Sequence, residues 1–531
     1  MNKKNTFIFL LFLMFQLGYA DIRPHNLFSD HMVVQRESEI PVWGWGDPGE
    51  KVSIKASWGA KAKVKANADG TWKTTLKTPE AGGPFTITFS GKNSITISDV
   101  LSGEVWLCSG QSNMDFTFHK LTRRNSIEPQ YQPLVEYLKN EIATADDELI
   151  RHIAVPEEPS LFEKKKNFEG NWTSAVAPDI KDVTAVGYFF AKELRSSLNV
   201  PIGIINCDWG GTRIQTWLSE EAYHSDEELK TYFDKERRRA KDIMAKYNKD
   251  NYVDSIYVKK FAEWKANGGT TPRPYPREFP TLDKQIPSAL HNGMISTVVP
   301  FKIKGALWFQ GESNTRYMDD QHEKYFTKMI ESWRSEWGQG DFPFYWVQLA
   351  GYERKDDRSN YGAALVNDQM RRTMKLPNTG MAVSHDIGEA KDVHAHNKMD
   401  VAKRLSLWAL SRDYDKDIPV VSGPLYKSHT VEGNKLVVQF NHTGTGLMIG
   451  AKVLLNETIE VGGALSWFEI AGDNGKWKLA KAKIVSSDKV EVWHDELERP
   501  VMVRYAWSSN PDGANLYNKE GLPAAVFSSK Y

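Results

Sequence analysis

Between Ile22 and Ser98 apolar and polar residues alternate in short runs, among them Ile40-Pro-Val-Trp-Gly-Trp, Lys51-Val-Ser-Ile-Lys-Ala-Ser and Phe85-Thr-Ile-Thr-Phe. Asp69-Gly70 and Gly82-Gly83-Pro84 punctuate them. A period of two with turn signals about every ten residues predicts half-buried antiparallel strands, so residues 21–100 read as a small β-sandwich.

The pattern changes at Val100. Val105-Trp-Leu-Cys is a continuous apolar run that ends in Ser109-Gly110-Gln111-Ser112. Ala185 to Leu198 has the spacing of an amphipathic helix, and the run Ile202-Gly-Ile-Ile-Asn-Cys follows Pro201. Further along come Ile303-Lys-Gly-Ala-Leu-Trp-Phe-Gln, a helix from His322 to Trp337, Phe344-Tyr-Trp-Val-Gln-Leu and Gly380-Met-Ala-Val-Ser. Short apolar strands alternating with helices imply βαβ units around a parallel sheet, so residues 101–420 read as an α/β domain. The charged stretch 219–269, including Glu227 to Asp242, has helical spacing and breaks this rhythm, which predicts a helical insertion over the core. After Val421 the alternation returns in Lys435-Leu-Val-Val-Gln-Phe and Lys489-Val-Glu-Val-Trp, so 421–531 is expected to be a second β region.

The start of the chain reads differently. Lys3 and Lys4 precede the apolar run Phe7 to Phe15, and Gly18-Tyr19-Ala20 offers small residues for cleavage. Residues 1–20 therefore read as a secretory signal removed near Ala20, which places the mature protein in the periplasm or outside the cell. No other stretch approaches the ~20 apolar residues of a spanning helix, so no membrane association is expected after cleavage. Lys+Arg and Asp+Glu balance at 68 each, which gives no basis for binding nucleic acid. The 18 tryptophans suit sugar stacking, although most are expected in the core. Cys108 and Cys207 each end a buried strand, and two free thiols are expected rather than a bridge.

Four turns carry candidate chemistry. Ser109-Gly110-Gln111-Ser112-Asn113-Met114 follows a strand, and a tight turn there exposes the Ser112 hydroxyl and aims its N–H at the same point as an oxyanion donor. Asn206-Cys207-Asp208-Trp209-Gly210-Gly211-Thr212 ends a second strand, where two glycines let the backbone approach a ligand. Trp308-Phe309-Gln310-Gly311-Glu312-Ser313-Asn314 ends a third, and Asn314 or Gln310 offers a side-chain N–H to a developing oxyanion. Asp392-Val393-His394 precedes the helical run Asn397 to Leu410, and a histidine there suits a general base for Ser112. Asp392 and Asp386 compete as the carboxylate that fixes its tautomer, and His385 and His396 are neighbouring decoys.

The order of these turns resembles the four blocks of the SGNH hydrolase superfamily. Gly103-Glu-Val-Trp-Leu-Cys-Ser-Gly-Gln-Ser-Asn-Met and Trp308-Phe-Gln-Gly-Glu-Ser-Asn look like the sialate O-acetylesterase family. So do Arg504-Tyr-Ala-Trp, Asn515-Leu-Tyr-Asn and Gly521-Leu-Pro, and the resemblance therefore spans nearly the whole mature chain. It implies an SGNH-type three-layer αβα domain with a central parallel sheet, flanked by N- and C-terminal β-sandwich regions. It also implies Ser112 as nucleophile, His394 as base, and Gly211 and Asn314 as oxyanion partners of the Ser112 N–H. The superfamily acid usually stands three residues before the histidine. Lys391 occupies that position here, with Asp392 one place nearer, so Asp392 and Asp386 both remain candidates.

The expected activity is removal of O-acetyl groups from carbohydrate through an acetyl-serine intermediate, with O-acetylated sialic acids as substrate. No metal or organic cofactor is expected, because the thirteen histidines show no HExxH pattern and there is no cysteine cluster. Arg213, whose planar fork suits a carboxylate, is the candidate for binding a sialic acid. A structural ion pair is the competing role for that arginine. Acetylated xylan or xyloglucan is the alternative substrate. A non-catalytic carbohydrate-binding protein is the alternative of another class, but it gives no reason for Ser, Gly, Asn and His at four strand ends.

Overall fold

In the computed structural model the described residues are 21–124, 127–246, 255–269, 273–274, 284–316, 320–353 and 362–531. The expected signal segment, residues 1–20, lies outside them. The central sheet contains strands β1 (Ser94–Gly110), β2 (Ile150–Ala154), β3 (Thr173–Ser174) and β4 (Ile202–Asp208). It continues with β5 (Gly305–Phe309), β6 (Phe344–Val347) and β7 (Thr379–Ala382). Their spatial order is β3-β2-β4-β1-β5-β6-β7. Neighbours along this path are parallel except β3, which runs antiparallel to β2. The chain fills one side of β1 with β2 and β4, then crosses to the other side for β5. That reversal opens a crevice at the carboxyl ends of β4, β1 and β5, where open α/β sheets hold ligands.

β5, β6 and β7 are buried at every position, as continuous apolar runs in a covered parallel sheet should be. Helix α1 (Ala185–Leu198) packs against α4 (Lys398–Asp413), and α2 (His322–Trp337) packs against α3 (Gly362–Thr373). α1 starts where the Thr184 hydroxyl caps the Gly187 N–H, and it stops at left-handed Asn199. Trp106, Trp308, Trp333, Trp346 and Trp408 are among the largest fully buried side chains, so for these residues packing is the role.

The expected change of architecture at Val100 falls inside a single strand. β1 alternates between exposed and covered positions up to Asp99 and is buried throughout from Val100 to Gly110. Its first half pairs with Gly82–Ser90, and its middle pairs in parallel with Val33–Gln35. A second N-terminal sheet joins Arg23–Pro24, Glu39–Trp45 and Thr71–Lys77. The C-terminal region forms three small sheets around a separate core that includes Leu436, Phe440, Phe468, Tyr505 and Phe527. It is stitched to the central domain by the bonds Val526 N–H to Gln348 Oε1 (3.3 Å) and His385 Nε2 to the Ala524 carbonyl (2.9 Å). The fold is therefore mixed α/β, with a central mixed sheet and C-terminal β-sheets.

The helical insertion shows Glu220–His224, Glu227–Lys246 and Ser255–Ala266. Residues 247–254 of it lie outside the described residues. Leu229 and Phe233 are buried, and Lys324 of α2 bridges Asp226 and Glu228. Cys108 and Cys207 are free and buried, and burial pushes both thiols far up, as in inert structural cysteines. Among the described residues no helix is long and apolar enough to cross a membrane.

Candidate active site

The crevice is built by turns that only small residues permit. Gly110 ends β1 at φ 142°, and a Cβ there would stand 2.2 Å from the Phe309 carbonyl oxygen. The chain then turns into the short helix Ser112–Asp115, which begins on Ser112. Gln111 ties this turn to the one after β5, because its Oε1 accepts from the Gly311 and Ser313 N–H groups (3.4 and 3.2 Å). Gly210 closes the other side, where a Cβ would lie 3.3 Å from the Ser112 Cβ. Among the described residues neither the Ser112 N–H nor the Gly211 N–H has a hydrogen-bond partner.

The loop before α4 brings His394 over this turn, 282 residues away in sequence. Its Nε2 lies 2.8 Å from the Ser112 hydroxyl oxygen. Phe116 stacks on the imidazole, with centroids 4.0 Å apart and planes at 13°, which fixes the plane of the ring. Asp392 Oδ1 accepts the His394 backbone N–H at 2.9 Å and stands 3.6 Å from Nδ1, beyond hydrogen-bond range. Arg124 completes the group. Its Nε pairs with Asp392 Oδ2 at 2.5 Å, and its Nη1 lies 3.2 Å from His394 Nδ1. Burial alone would raise the Asp392 carboxyl, but the His394 backbone bond and the neighbouring Arg124 charge hold it below the usual range.

Asp386, the other carboxylate weighed for His394, faces elsewhere. Its side chain is buried and pairs with both terminal guanidinium nitrogens of Arg404 at 2.6 and 2.8 Å, and the Tyr517 hydroxyl donates to it at 3.2 Å. The decoys are also engaged: His385 bonds the Ala524 carbonyl, and His396 bonds Glu389 at 2.8 Å.

Asn314 is buried beside the crevice. Its Oδ1 accepts from the Ile214 N–H and from Gln310, while its Nδ2 donates to Gln215 Oε1 at 3.1 Å. Gln310 is equally buried and also donates to the Thr212 carbonyl (3.0 Å) and Gln111 (3.2 Å), so it links the turns. Arg213 donates its backbone N–H to Gln285, and the Tyr232 hydroxyl on Glu227–Lys246 feels its charge, which puts the guanidinium on the insertion side. Lys284 donates to the Gly210 carbonyl at 2.5 Å and lies over the Trp209 ring. Asp208, at the end of β4, is buried beside Asp115, and burial with that neighbouring charge pushes its carboxyl well up.

Sequence reasoning did not find Arg124, Phe116, Asn113 or Lys398 in this group. Arg124 carries no chemical signal in its local sequence, and only its approach to Asp392 in space reveals a role. Among the described residues no three His, Cys, Asp or Glu side chains group as a metal site.

Residues 102–249 and 264–409 match the family model described as carbohydrate esterase, sialic acid-specific acetylesterase. Sialate O-acetylesterase from Mus musculus is 28% identical over 541 residues, covering 94% of this chain and 93% of that protein. The Homo sapiens sialate O-acetylesterase is 27% identical over 545 residues, covering 94% and 91%. Among solved structures, a carbohydrate acetylesterase from Xanthomonas citri superposes with a TM-score of 0.76 at 33% identity, covering 96% of this chain and 99% of that one.

Proposed function

The chain belongs to the carbohydrate esterase family of sialic acid-specific acetylesterases, and we propose that it frees O-acetylated sialic acids of acetate through an acetyl-serine on Ser112. Membership makes it a carboxylic ester hydrolase acting on acetylated carbohydrate. The observation that supports the acetyl-serine mechanism is the 2.8 Å contact between Ser112 and His394 at the carboxyl end of β1, beside the Gly210-Gly211 turn. We read the central domain as the three-layer SGNH arrangement, with the sheet between helical layers.

With the imidazole proton on Nδ1, Arg124 acts there by its charge and not as a donor. Ser112 gives its hydroxyl proton to His394 Nε2 as its oxygen bonds to the acetyl carbonyl carbon. The carbonyl oxygen, now negative, is held by the Ser112 and Gly211 N–H groups and by the Asn314 amide. The tetrahedral intermediate collapses, the bond to the sugar oxygen breaks, and that oxygen takes the proton from Nε2. Water then attacks the acetyl-serine and gives its proton to Nε2. Acetate departs as Ser112 recovers its proton. Asp392 stabilises the imidazolium formed in each half, and its backbone acceptor bond fixes the loop that carries His394. Arg213 lies toward the insertion and Lys284 over the glycine turn, where an entering sugar carboxylate would meet cationic donors.

Acetate release by the purified protein from 9-O-acetylated sialic acid and from acetylated xylan, with Ser112→Ala as control, tests this reading. Release from sialic acid that is lost in Ser112→Ala is the expected result. Release from xylan alone keeps the mechanism and overturns the substrate. No release from either substrate favours a protein that binds sugar without turning it over.

A further inference from the structure

Lys398 takes no part in these proton transfers, yet it is 1% exposed and points at the turn that carries the nucleophile. Its Nζ donates to Asn113 Oδ1 at 2.5 Å, and Asn113 follows Ser112 directly. The other end of that amide donates to Glu312 Oε1 at 2.5 Å and to the Val393 carbonyl at 3.0 Å. Val393 precedes His394. One buried amide therefore joins the Ser112 turn, the turn after β5, the first residue of α4 and the peptide on which the histidine hangs.

We propose that Lys398, Asn113 and Glu312 act as an orientation lock that positions His394 against Ser112, an inference that rests on those two being the reacting pair. A carboxamide is nearly symmetric in shape but not in chemistry. An ammonium only donates, whereas a carboxylate and a carbonyl only accept, so these three neighbours permit one orientation of Asn113. Turned over, the amide would set N–H against ammonium and oxygen against two acceptors. The Val393–His394 peptide is thus held at both ends, by Asn113 on its carbonyl and by Asp392 on its N–H.

Stability alone does not favour this placement. A cation in the first turn of a helix is opposed by the helix dipole, and burial adds a desolvation cost. The Phe309 ring lies 5.3 Å from Nζ and returns part of that cost. The charges facing Lys398 are Glu312, Glu389, Asp392 and Arg124, with Glu389 held by His396 and Asp392 by Arg124. Asp400, on the same helix, is turned to Asn397 and Lys452. Burial brings the Lys398 ammonium down to about 8, with Glu312 the chief charge resisting. A neutral amine accepts as readily as it donates, so above that pH the orientation of Asn113 is no longer enforced.

The test is the pH profile of 4-nitrophenyl acetate hydrolysis from pH 6 to 10, with the rate at which a fluorophosphonate labels Ser112. The wild-type kcat should show a descending limb near pH 8. Lys398→Met keeps the stem and removes the donor. It should lower kcat and the labelling rate at pH 7 by about 10- to 100-fold, the cost of a small misplacement of reacting groups. KM should stay within about twofold, and the limb should vanish, since positioning acts on the transition state. Glu312→Gln keeps an acceptor for Asn113 but removes the charge that holds Lys398 protonated, so its limb should move to lower pH. If Lys398→Met does not fold, the Glu312→Gln profile decides. Wild-type kcat and profile in Lys398→Met, or an unmoved limb in Glu312→Gln, would overturn the lock while Ser112→Ala stays inactive. Activity in Ser112→Ala would instead overturn the reacting pair itself.

Discussion

The two aspartates before α4 should separate cleanly on replacement by asparagine. Asp392 lies 3.6 Å from His394 Nδ1, where a carboxylate and an imidazolium attract by about 5 kcal/mol at an effective dielectric near 20. Asp392→Asn removes that attraction and leaves Arg124, 3.2 Å from the same nitrogen, without its carboxylate. Solvent at Arg124, whose side chain is 28% exposed, screens part of the effect, so a barrier increase of about 3–5 kcal/mol is expected, or roughly 10²- to 10⁴-fold in kcat. The Asp392–Arg124 pair is partly buried, so folding stability should change by about 1–2 kcal/mol. Asp386→Asn should do the reverse. It leaves buried Arg404 without its bidentate partner, a change that costs about 3–5 kcal/mol. At ~2 °C per kcal/mol, Tm should fall by roughly 6–10 °C. The kcat of the folded protein should stay within about twofold, since Asp386 touches neither reacting group. Calorimetry and kcat on one acetyl ester, measured well below the lower Tm, read both effects. A collapse of kcat in folded Asp386→Asn with near-normal turnover in Asp392→Asn would refute the assignment.

Two further outcomes are expected. Adding Arg124→Gln to Asp392→Asn should recover about tenfold of the lost kcat, because the bare guanidinium no longer opposes the imidazolium; a double variant slower than Asp392→Asn alone would contradict this. Asp413 is raised to about 6 by burial, against a bond from the Tyr345 hydroxyl. Its folded value exceeds its unfolded one, so its contribution is complete below about pH 4 and lost as pH rises through about 6. Asp413→Asn should therefore raise stability at pH 7.5 by up to about 3 kcal/mol and leave it nearly unchanged at pH 4, as thermal unfolding at the two pH values would show.

Much of the architecture was legible where one physical signal dominated. Helices α1 and α2 lie where their periodicity places them, and left-handed Asn199 and Gly338 end them. β2 was not legible because Arg151 and His152 interrupt its apolar run. Arg151 is buried because the His31 and Asp99 carbonyls accept from it across the fold and the Asp99 carboxylate pairs with it at 2.8 Å. α3 hides in the same way: Asn367 and Asp368 look like surface residues, yet Asn367 bonds Leu349 and Asp368 bonds Arg371 and Ser528. At the site, the turns that present Ser112 and Gly211 announce themselves by glycine. Asp392 is legible beside His394 as one of two candidate carboxylates, but Arg124 is not, because it reaches them only when the loop before α4 folds over the sheet. Lys398 reads as one more charged residue in a helix, and nothing local marks it as buried.

β1 makes the protein less divisible than its sequence suggests. A fragment starting at residue 101 would begin in mid-strand, with the parallel partner Val33–Gln35 gone and the apolar edge from Leu101 to Val105 laid open. The strand that presents Ser112 is thus anchored at its far end in the N-terminal sheets. Exchange of the N-terminal region between relatives, or display of the hydrolase alone, would have to carry a graft through Val33–Gln35 and the whole of Ser94–Gly110 as one piece.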